Sequence, residues 1–372
     1  MPSIRSPEHL PLDRLRPYFE AEGLRVLAVT GADPAPDAES AYGSWLDAGR
    51  AGEMDYMHRH REAKYRPERM LPGCRSIVLV ALNYYQPEPP RPQPSPRAEQ
   101  PDPAARYARG RVARYAWGRD YHKTLGKRLT RVARALTTDF DGHRFRGFTD
   151  ATPLSERYYG ARAGLGFQGR NTLLIHPELG SWFFIGEVLG TLHVEETPRP
   201  DGVRTRCPEG CRRCIEACPT GALSAPYELD ARLCISYLTI EHAGPIGPAL
   251  MQRMGTWVFG CDRCQEACPL NARARPTAEE DFRRPIAGPR LELAQLLELE
   301  NDADVRARYA GSPLLRAKRR GLVRNACIAA ANAGALELLP RIESLRTDTD
   351  PVVANAAAAA ATRLLTLSGP AS

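Results

Sequence analysis

Apolar residues in the first half of the chain come in short runs bounded by turn signals. Val26–Thr30, Ser76–Leu82, Asn171–Ile175 and Trp182–Leu189 are of strand length and rich in Val, Ile, Leu and Phe, so each predicts a β-strand. Over Lys123–Leu136 the period changes: Leu125, Leu129, Val132 and Leu136 recur on one face of a helix. This alternation predicts an α/β core, of α/β or α+β type, for residues 1–196. The stretch from Gln86 to Ala105, mostly Pro, Gln, Glu, Arg and Ser, is too polar and too kinked to pack and predicts a solvated loop. From Leu291 onward the pattern turns helical and repetitive. Leu322-Val-Arg-Asn-Ala-Cys-Ile-Ala-Ala-Ala returns as Val352-Val-Ala-Asn-Ala-Ala-Ala-Ala-Ala-Ala, which sets two helices in one structural role, opening on Asn325 and Asn355 before small residues. Small side chains let helices approach closely, as in HEAT-like solenoids, although a plain helical hairpin gives the same pattern.

With 372 residues, 43% hydrophobic and 26% charged, the chain has the composition of two or three globular domains. Its longest apolar runs, such as Ile77–Leu82, fall far short of the roughly 20 residues that span a bilayer, so no membrane residence is expected. The net charge of +7 is modest but unevenly placed. Lys123, Lys127, Arg128, Arg131 and Arg134 share one segment, and Arg316, Lys318, Arg319, Arg320 and Arg324 crowd another. A basic cluster is ordinarily a solvated helix face; two of them also suit a polyanion such as nucleic acid.

The cysteines change the picture. Seven of the ten lie in two blocks, Cys207-x3-Cys211-x2-Cys214-x3-Cys218-Pro219 and Cys261-x2-Cys264-x3-Cys268-Pro269, with Cys234 between them. Each block closes in C-x3-C-P, as in bacterial two-cluster ferredoxins, where the cysteine before the proline ligates the neighbouring cluster. That crossing assigns Cys207, Cys211, Cys214 and Cys268 to one 4Fe-4S cluster, and Cys218, Cys234, Cys261 and Cys264 to the other. Zinc also takes four thiolates, but zinc ribbons rarely end both runs in Cys-Pro. Disulfides would need an oxidising compartment, and the N-terminus shows no charged-then-apolar signal pattern; reduced thiols and a cytoplasmic location are expected. The extra residue after Cys207 makes it the least regular ligand. Cys74 and Cys327 read as small buried hydrophobes.

A ferredoxin alone has no use for the first 196 residues, so the electrons are expected to go to a substrate or second cofactor housed there. Three patches stand out: Tyr115 to His122, Asp150 to Arg157, and Ala163 to Thr172 followed by Gly180-Ser-Trp182. Gly164-x-Gly166-x-x-Gly169 formally matches a dinucleotide fingerprint, but there a strand must precede the glycines and a helix follow. Here the predicted order is reversed, helix-like Ser155–Ala163 before and strand-like Asn171–Ile175 after, so the glycines are expected to admit some other bulky ligand. Asp120-Tyr-His122-Lys-Thr-Leu-Gly126 is one residue too long for the D-x-H-x-x-G element that supplies a histidine to cobalt in some cobalamin enzymes. His122 is therefore expected to be a pocket residue, not an axial ligand. Asp150 ends the segment Phe145–Thr149, and Thr152-Pro153 beyond it reads as an N-cap and first helical position. A carboxylate there suits acid chemistry, though a turn aspartate bonding its own backbone explains the position equally well. Burial beside a cofactor would raise its pKa and let it deliver a proton near neutral pH.

At these residues the chain closely resembles the epoxyqueuosine reductase family, the cobalamin-dependent enzymes that complete queuosine in tRNA. The resemblance takes in the three patches, both cysteine blocks, Cys234 to Glu241, Gly311-Ser-Pro-Leu and Arg324-Asn-Ala; the departures are the x3 spacing after Cys207 and the proline-rich insertion. It implies a nitroreductase-like cobalamin-binding domain (1–196), a double-cluster ferredoxin-like domain (197–290) and a C-terminal HEAT-like helical tail that grips tRNA (291–372). It also implies that electrons pass from two 4Fe-4S clusters to cobalamin, whose low-valent cobalt attacks or reduces the epoxide carbon while Asp150, as general acid, protonates the departing oxygen. By motif position the corrin would be lined by Met57, Tyr115, His122, Asn171, Thr172 and Ser181. Arg316, Lys318, Arg319 and Arg320 would meet tRNA phosphates. The partners expected are tRNA carrying epoxyqueuosine and an unidentified reductant, acting on a monomer. The rivals are a reductive dehalogenase-like cobalamin enzyme acting on a small molecule, and a ferredoxin-type electron-transfer protein.

Overall fold

The computed structural model describes residues 9–89, 108–150, 153–198 and 206–367. Most of the proline-rich insertion, 90–107, and Thr152, expected to cap a helix, lie outside the described residues. In chain order the strands are β1 (Val26–Gly31), β2 (Ser76–Asn83), β3 (Arg109–Val112), β4 (Phe145–Phe148), β5 (Phe167–Gln168), β6 (Leu174–Ile175), β7 (Phe183–Gly190), β8 (Leu223–Ala225), β9 (Glu228–Leu229), β10 (Trp257–Phe259) and β11 (Arg290–Glu292).

The main sheet runs β1-β2-β7-β4, and every pairing in it is antiparallel. The fold of the first half is therefore α+β rather than a succession of parallel βαβ units. Its central strand β2 is buried on both faces, which explains why it reads as an unbroken apolar run. Val78, Val80 and Leu82 pack under the helix Tyr121–Asp139 through Leu125, Leu129, Val132 and Leu136, the four positions that the period singled out. Ile77, Leu79 and Ala81 face the other way, toward Tyr159, Ala161 and Leu165. The helix after Asp150 spans Glu156–Arg162 with Ser155 at its N-cap position, later than Thr152-Pro153 suggested. In the Asn171–Ile175 segment only Leu174–Ile175 is extended, forming a two-stranded hairpin with Phe167–Gln168. The glycine segment thus joins a helix to a hairpin, the reverse of a dinucleotide site.

A second sheet, β10-β3-β11, draws on the whole chain: β3, from the first half, pairs in parallel with β10 and antiparallel with β11. It thereby crosses the sequence divisions at 196/197 and 290/291. One hydrophobic core continues from Val112 and Trp117 through Leu238 and Phe259 to Leu322, Val353 and Leu364. The two matched helices, Lys318–Ala333 and Pro351–Leu367, pack against each other. Their asparagines are nevertheless unlike. Asn325 lies well inside its helix, fully buried, with Nδ2 donating to the carbonyls of Thr239 and Val258 at 2.9 Å each, whereas Asn355 is exposed. Arg324, also buried, donates to the carbonyls of His242 (2.7 Å), Gly244 (2.9 Å) and Leu238, and burial lowers its pKa to about 10. These bonds anchor the tail on the cysteine-bearing region. No helix among the described residues is long and apolar enough to cross a membrane.

Candidate functional site

Asp150 follows β4, which the sheet holds against the helix Tyr121–Asp139. The close approach rests on Gly147, where a Cβ would come 2.4 Å from the Leu129 carbonyl oxygen. The first turn of the helix thereby meets the end of the strand. Tyr121 Oη donates to Asp150 Oδ2, and His122 Nε2 stands 3.4 Å from the same oxygen. On its other side the imidazole Nδ1 lies 2.8 Å from Asp120 Oδ1, which also accepts from the His122 backbone N–H at 3.1 Å and so caps the helix. The Asp150 backbone N–H donates to Glu156 Oε1 at 2.5 Å. Asp150 adopts φ 49°, a left-handed conformation that is costly for a residue with a Cβ and concentrates at functional sites.

The electrostatics depart from the sequence reading. The protein around Asp150 pushes its pKa up, but hydrogen bonds from His122 and Tyr121 outweigh this and hold it below the ordinary carboxylate range. Burial would lower His122; Asp120 and Asp150 overcome that and raise it to about 9. Glu156 is raised by burial and by the adjacent Asp150 charge, so this carboxyl is the one that keeps its proton. The Tyr121 phenol is raised by burial and by Asp150, and stays protonated. Although Asp150 lies low among its neighbours, 48% of its side chain remains open. The site is thus a carboxylate, an imidazolium and a neutral carboxyl around one accessible oxygen pair.

Tyr115 ties this site to the cysteines. Its ring centroid lies 6.4 Å from that of Tyr121 and 6.1 Å from that of Phe259, and a Cβ on Gly260 would come within 3.4 Å of the ring. Cys261 is the next residue. The short helices Arg213–Glu216 and Arg263–Glu266 carry Cys214 and Cys264 and pack against each other as related halves. Among the described residues no disulfide joins any of the cysteines. Cys268 lies within electrostatic reach of Cys207 and Cys211, and Cys214 within reach of Cys268 and Cys207. Cys261 senses Cys234 and Cys218, while Cys264 senses Cys234, Cys261 and, across the divide, Cys214. Thiols of each expected set thus lie within electrostatic reach of one another, and the two sets adjoin. Among the described residues no three His, Cys, Asp or Glu side chains close to the spacing of single-ion ligands; thiols meeting a cubane at its corners are held apart by the iron and sulfide between them.

The other expected residues are dispersed. Asn171 is buried with Nδ2 unpartnered, a vacant donor beside Thr172, whose φ of 68° is again left-handed. A bound group that accepts a hydrogen bond fits that pair. Met57 is half-buried, its carbonyl accepting from Tyr42 Oη at 3.1 Å. The Ser181 hydroxyl is committed to Asn271 and Gln265, near Cys268. Of the four tail cations, Arg319 is ion-paired to Asp348, Arg320 to Asp350 at 2.5 Å and Arg316 to Glu241 at 2.6 Å. Lys318 is exposed at φ 54°. Arg316 also acts electrostatically on Asp150, so it belongs to the acid site as much as to the tail. Sequence reasoning missed Tyr121, Glu156 and Asp120 as members of the site, although each stands inside a patch it had marked.

Residues 64–151 match the family described as Epoxyqueuosine reductase QueG, DUF1730, and residues 206–271, which hold all eight paired-set cysteines, match the 4Fe-4S double cluster binding domain. An epoxyqueuosine reductase of Pseudomonas aeruginosa is 38% identical over 81% of this chain and 80% of its own length. This chain belongs to the epoxyqueuosine reductase family. Another epoxyqueuosine reductase, from Gloeobacter violaceus, is 40% identical over 86% of this chain and 96% of its own. Among solved structures, an epoxyqueuosine reductase crystallised with an epoxyqueuosine-modified tRNA-Tyr stem loop superposes with a TM-score of 0.83 at 27% identity, covering 95% of this chain and 90% of that one. The Bacillus subtilis epoxyqueuosine reductase has been captured with its catalytic loop swung out of the active site; it superposes with a TM-score of 0.82 at 27% identity, covering 95% of this chain and 90% of that one.

Proposed function

We propose that the protein reduces epoxyqueuosine to queuosine at the wobble position of tRNA, with Asp150 as the general acid. The observation that carries this is Tyr115, whose ring stands between the Tyr121–Asp150 contact and Phe259, two residues before Cys261. Proton source and electron source thus flank one ring. Cobalamin held there would supply low-valent cobalt able to deliver two electrons to an epoxide carbon. The residues that would hold it are Tyr115, His122, Asn171 and Thr172, with Met57 and Ser181 as further expected contacts. The unpartnered Asn171 Nδ2 and the left-handed Thr172 backbone support that assignment.

The protein's own part is acid catalysis and positioning. A departing epoxide oxygen builds alkoxide charge, and a carboxyl within hydrogen-bond reach removes it by proton transfer. Tyr121 fixes Oδ2, while the open side of Asp150 faces the substrate. For tRNA, the tail offers Lys318 as its least encumbered cation; Arg316, Arg319 and Arg320 must share themselves with carboxylates. These contacts supply salt-sensitive affinity, and the modified base itself is read at the acid site once splayed from its loop. The helical tail, with matched helices packed in parallel roles, acts as a HEAT-like support for this contact.

The test is an anaerobic reaction of iron-loaded protein with epoxyqueuosine-containing tRNA, cobalamin and a strong one-electron reductant, read by nucleoside mass spectrometry. Queuosine is expected. Unchanged epoxyqueuosine with a full iron complement and bound corrinoid would overturn the assignment.

A further inference from the structure

Resting on that reading, the stoichiometry poses a question that Asp150 alone does not answer. An epoxide, two electrons and two protons give an alkene and one water; both C–O bonds break, and both protons end on the oxygen. One carboxyl supplies one proton per loading, and here it rests ionised between Tyr121 and His122.

We propose that Asp120, His122 and Asp150 form a proton relay in which His122 reloads Asp150, so that both protons reach the oxygen through one carboxyl. In each pass the proton on Nε2 moves to Asp150 Oδ2 and from there to the departing oxygen. The neutral imidazole then takes its next proton from water. The electrons come separately, from the one-electron reductant by way of the clusters.

The geometry is that of an orienting carboxylate, an imidazole and a working carboxylate. Asp120 Oδ1 holds Nδ1 at 2.8 Å and the backbone N–H of the same residue at 3.1 Å, which fixes the ring and directs Nε2 at Asp150 Oδ2, 3.4 Å away. Such contacts shorten when substrate binds. The ring also lies 4.1 Å from that of Tyr121, which in turn stacks on Phe184 at 4.1 Å and 9°. Water has access, since 31% of the His122 side chain and 23% of that of Asp120 are open. Tyr121 binds the same Oδ2 but keeps its proton too tightly to donate it, so it serves as a positioning residue. The other charged and titratable groups acting on this cluster include Arg316, Glu156, Lys123, Tyr115, Lys64 and Tyr56. With the two carboxylates outweighing burial, the imidazole titrates at about 9 and is charged at neutral pH, as a proton store must be.

The experiment compares wild type, His122→Ala, His122→Gln and Asp120→Asn in single turnovers at saturating tRNA across pH, beside ¹⁵N NMR titration of the imidazole in protein without corrinoid. His122→Ala should lose about 10²-fold or more in rate, the lower end of the range for a positioned acid or base, with iron content and tRNA affinity retained. Imidazole added to the buffer should restore part of that rate, and His122→Gln should show the loss without the alkaline limb. Asp120→Asn, which still caps the helix, should lower the imidazole pKa and move the alkaline fall in rate to lower pH. Wild-type rates in both His122 variants, a loss that imidazole does not restore, or an imidazole titrating at its ordinary 6.5 would each overturn the relay. A wild-type protein that makes no queuosine would instead sink the function proposed above, leaving the NMR titration to judge the relay.

Discussion

The Asp150 carboxylate shows how specific partners reverse a trend set by burial. Its surroundings favour the neutral acid, yet the donors Tyr121 and His122 win, while at Glu156 burial and the Asp150 charge outweigh the bond from the Asp150 backbone N–H and leave the carboxyl protonated. Asp150→Asn should preserve the Tyr121 contact, the fold, the iron content and the binding of the proposed corrinoid. It should lower single-turnover rates by about 10² or more, measured by nucleoside mass spectrometry beside iron and corrinoid content. The same cluster carries a pH signature in stability. The His122 pKa is raised from 6.5 to about 9, so folding binds a proton there; the resulting stabilisation is complete below pH 6.5 and is lost as pH climbs through 9. Calorimetric Tm should therefore fall more steeply over this window in wild type than in His122→Gln. Parallel curves would mean that the imidazole gains nothing from its two carboxylates.

Among the elements, legibility followed how local the cause was. The strand β2 and the face of the Tyr121–Asp139 helix were readable because burial repeats with the period of the backbone. The eight cysteines of the double-cluster domain were readable because cluster ligation fixes spacing. The antiparallel order of the main sheet was not, since periodicity says which face is buried and nothing about which neighbour covers it. Asn325 and Asn355 occupy matching places in a repeated sequence, but only the first meets carbonyls of two other segments, those of Thr239 and Val258. Likewise Asp150 was recognisable as a candidate, whereas its meeting with Tyr121 and His122 depends on how closely β4 approaches a helix. Gly147→Ala tests that dependence. Its added Cβ would press on backbone at Leu129, and the expected cost is about 1–3 kcal/mol together with a slower turnover, measured by denaturant titration and by single-turnover assay. Arg324→Met should cost more, about 3–5 kcal/mol, because it strands the Leu238, His242 and Gly244 carbonyls and removes a buried charge that is fully bonded.

At the level of the whole molecule, cysteine-bearing segments and tail helices share one core, so loss of iron should be felt well beyond the cysteines. Anaerobic iron removal is expected to lower Tm and to speed amide exchange in the Lys318–Ala333 helix as well as around Cys234; exchange confined to the cysteine blocks would contradict this. The tail also sorts its cations. Lys318→Ala should weaken tRNA binding and reduce the slope of log affinity against log salt by about 1. Arg319→Ala should chiefly lower stability, through the freed Asp348.

The placement of β3 carries a consequence for biosynthesis. This strand leaves the ribosome early, but its partners β10 and β11 come about 150 and 180 residues later, on either side of it. For that interval the nascent chain displays a strand with two bare edges, the kind of surface that recruits other unfinished chains. Truncation before Trp257 should thus yield aggregating, chaperone-bound product, and a hurried supply of polypeptide with too little iron should fill cells with inclusion bodies.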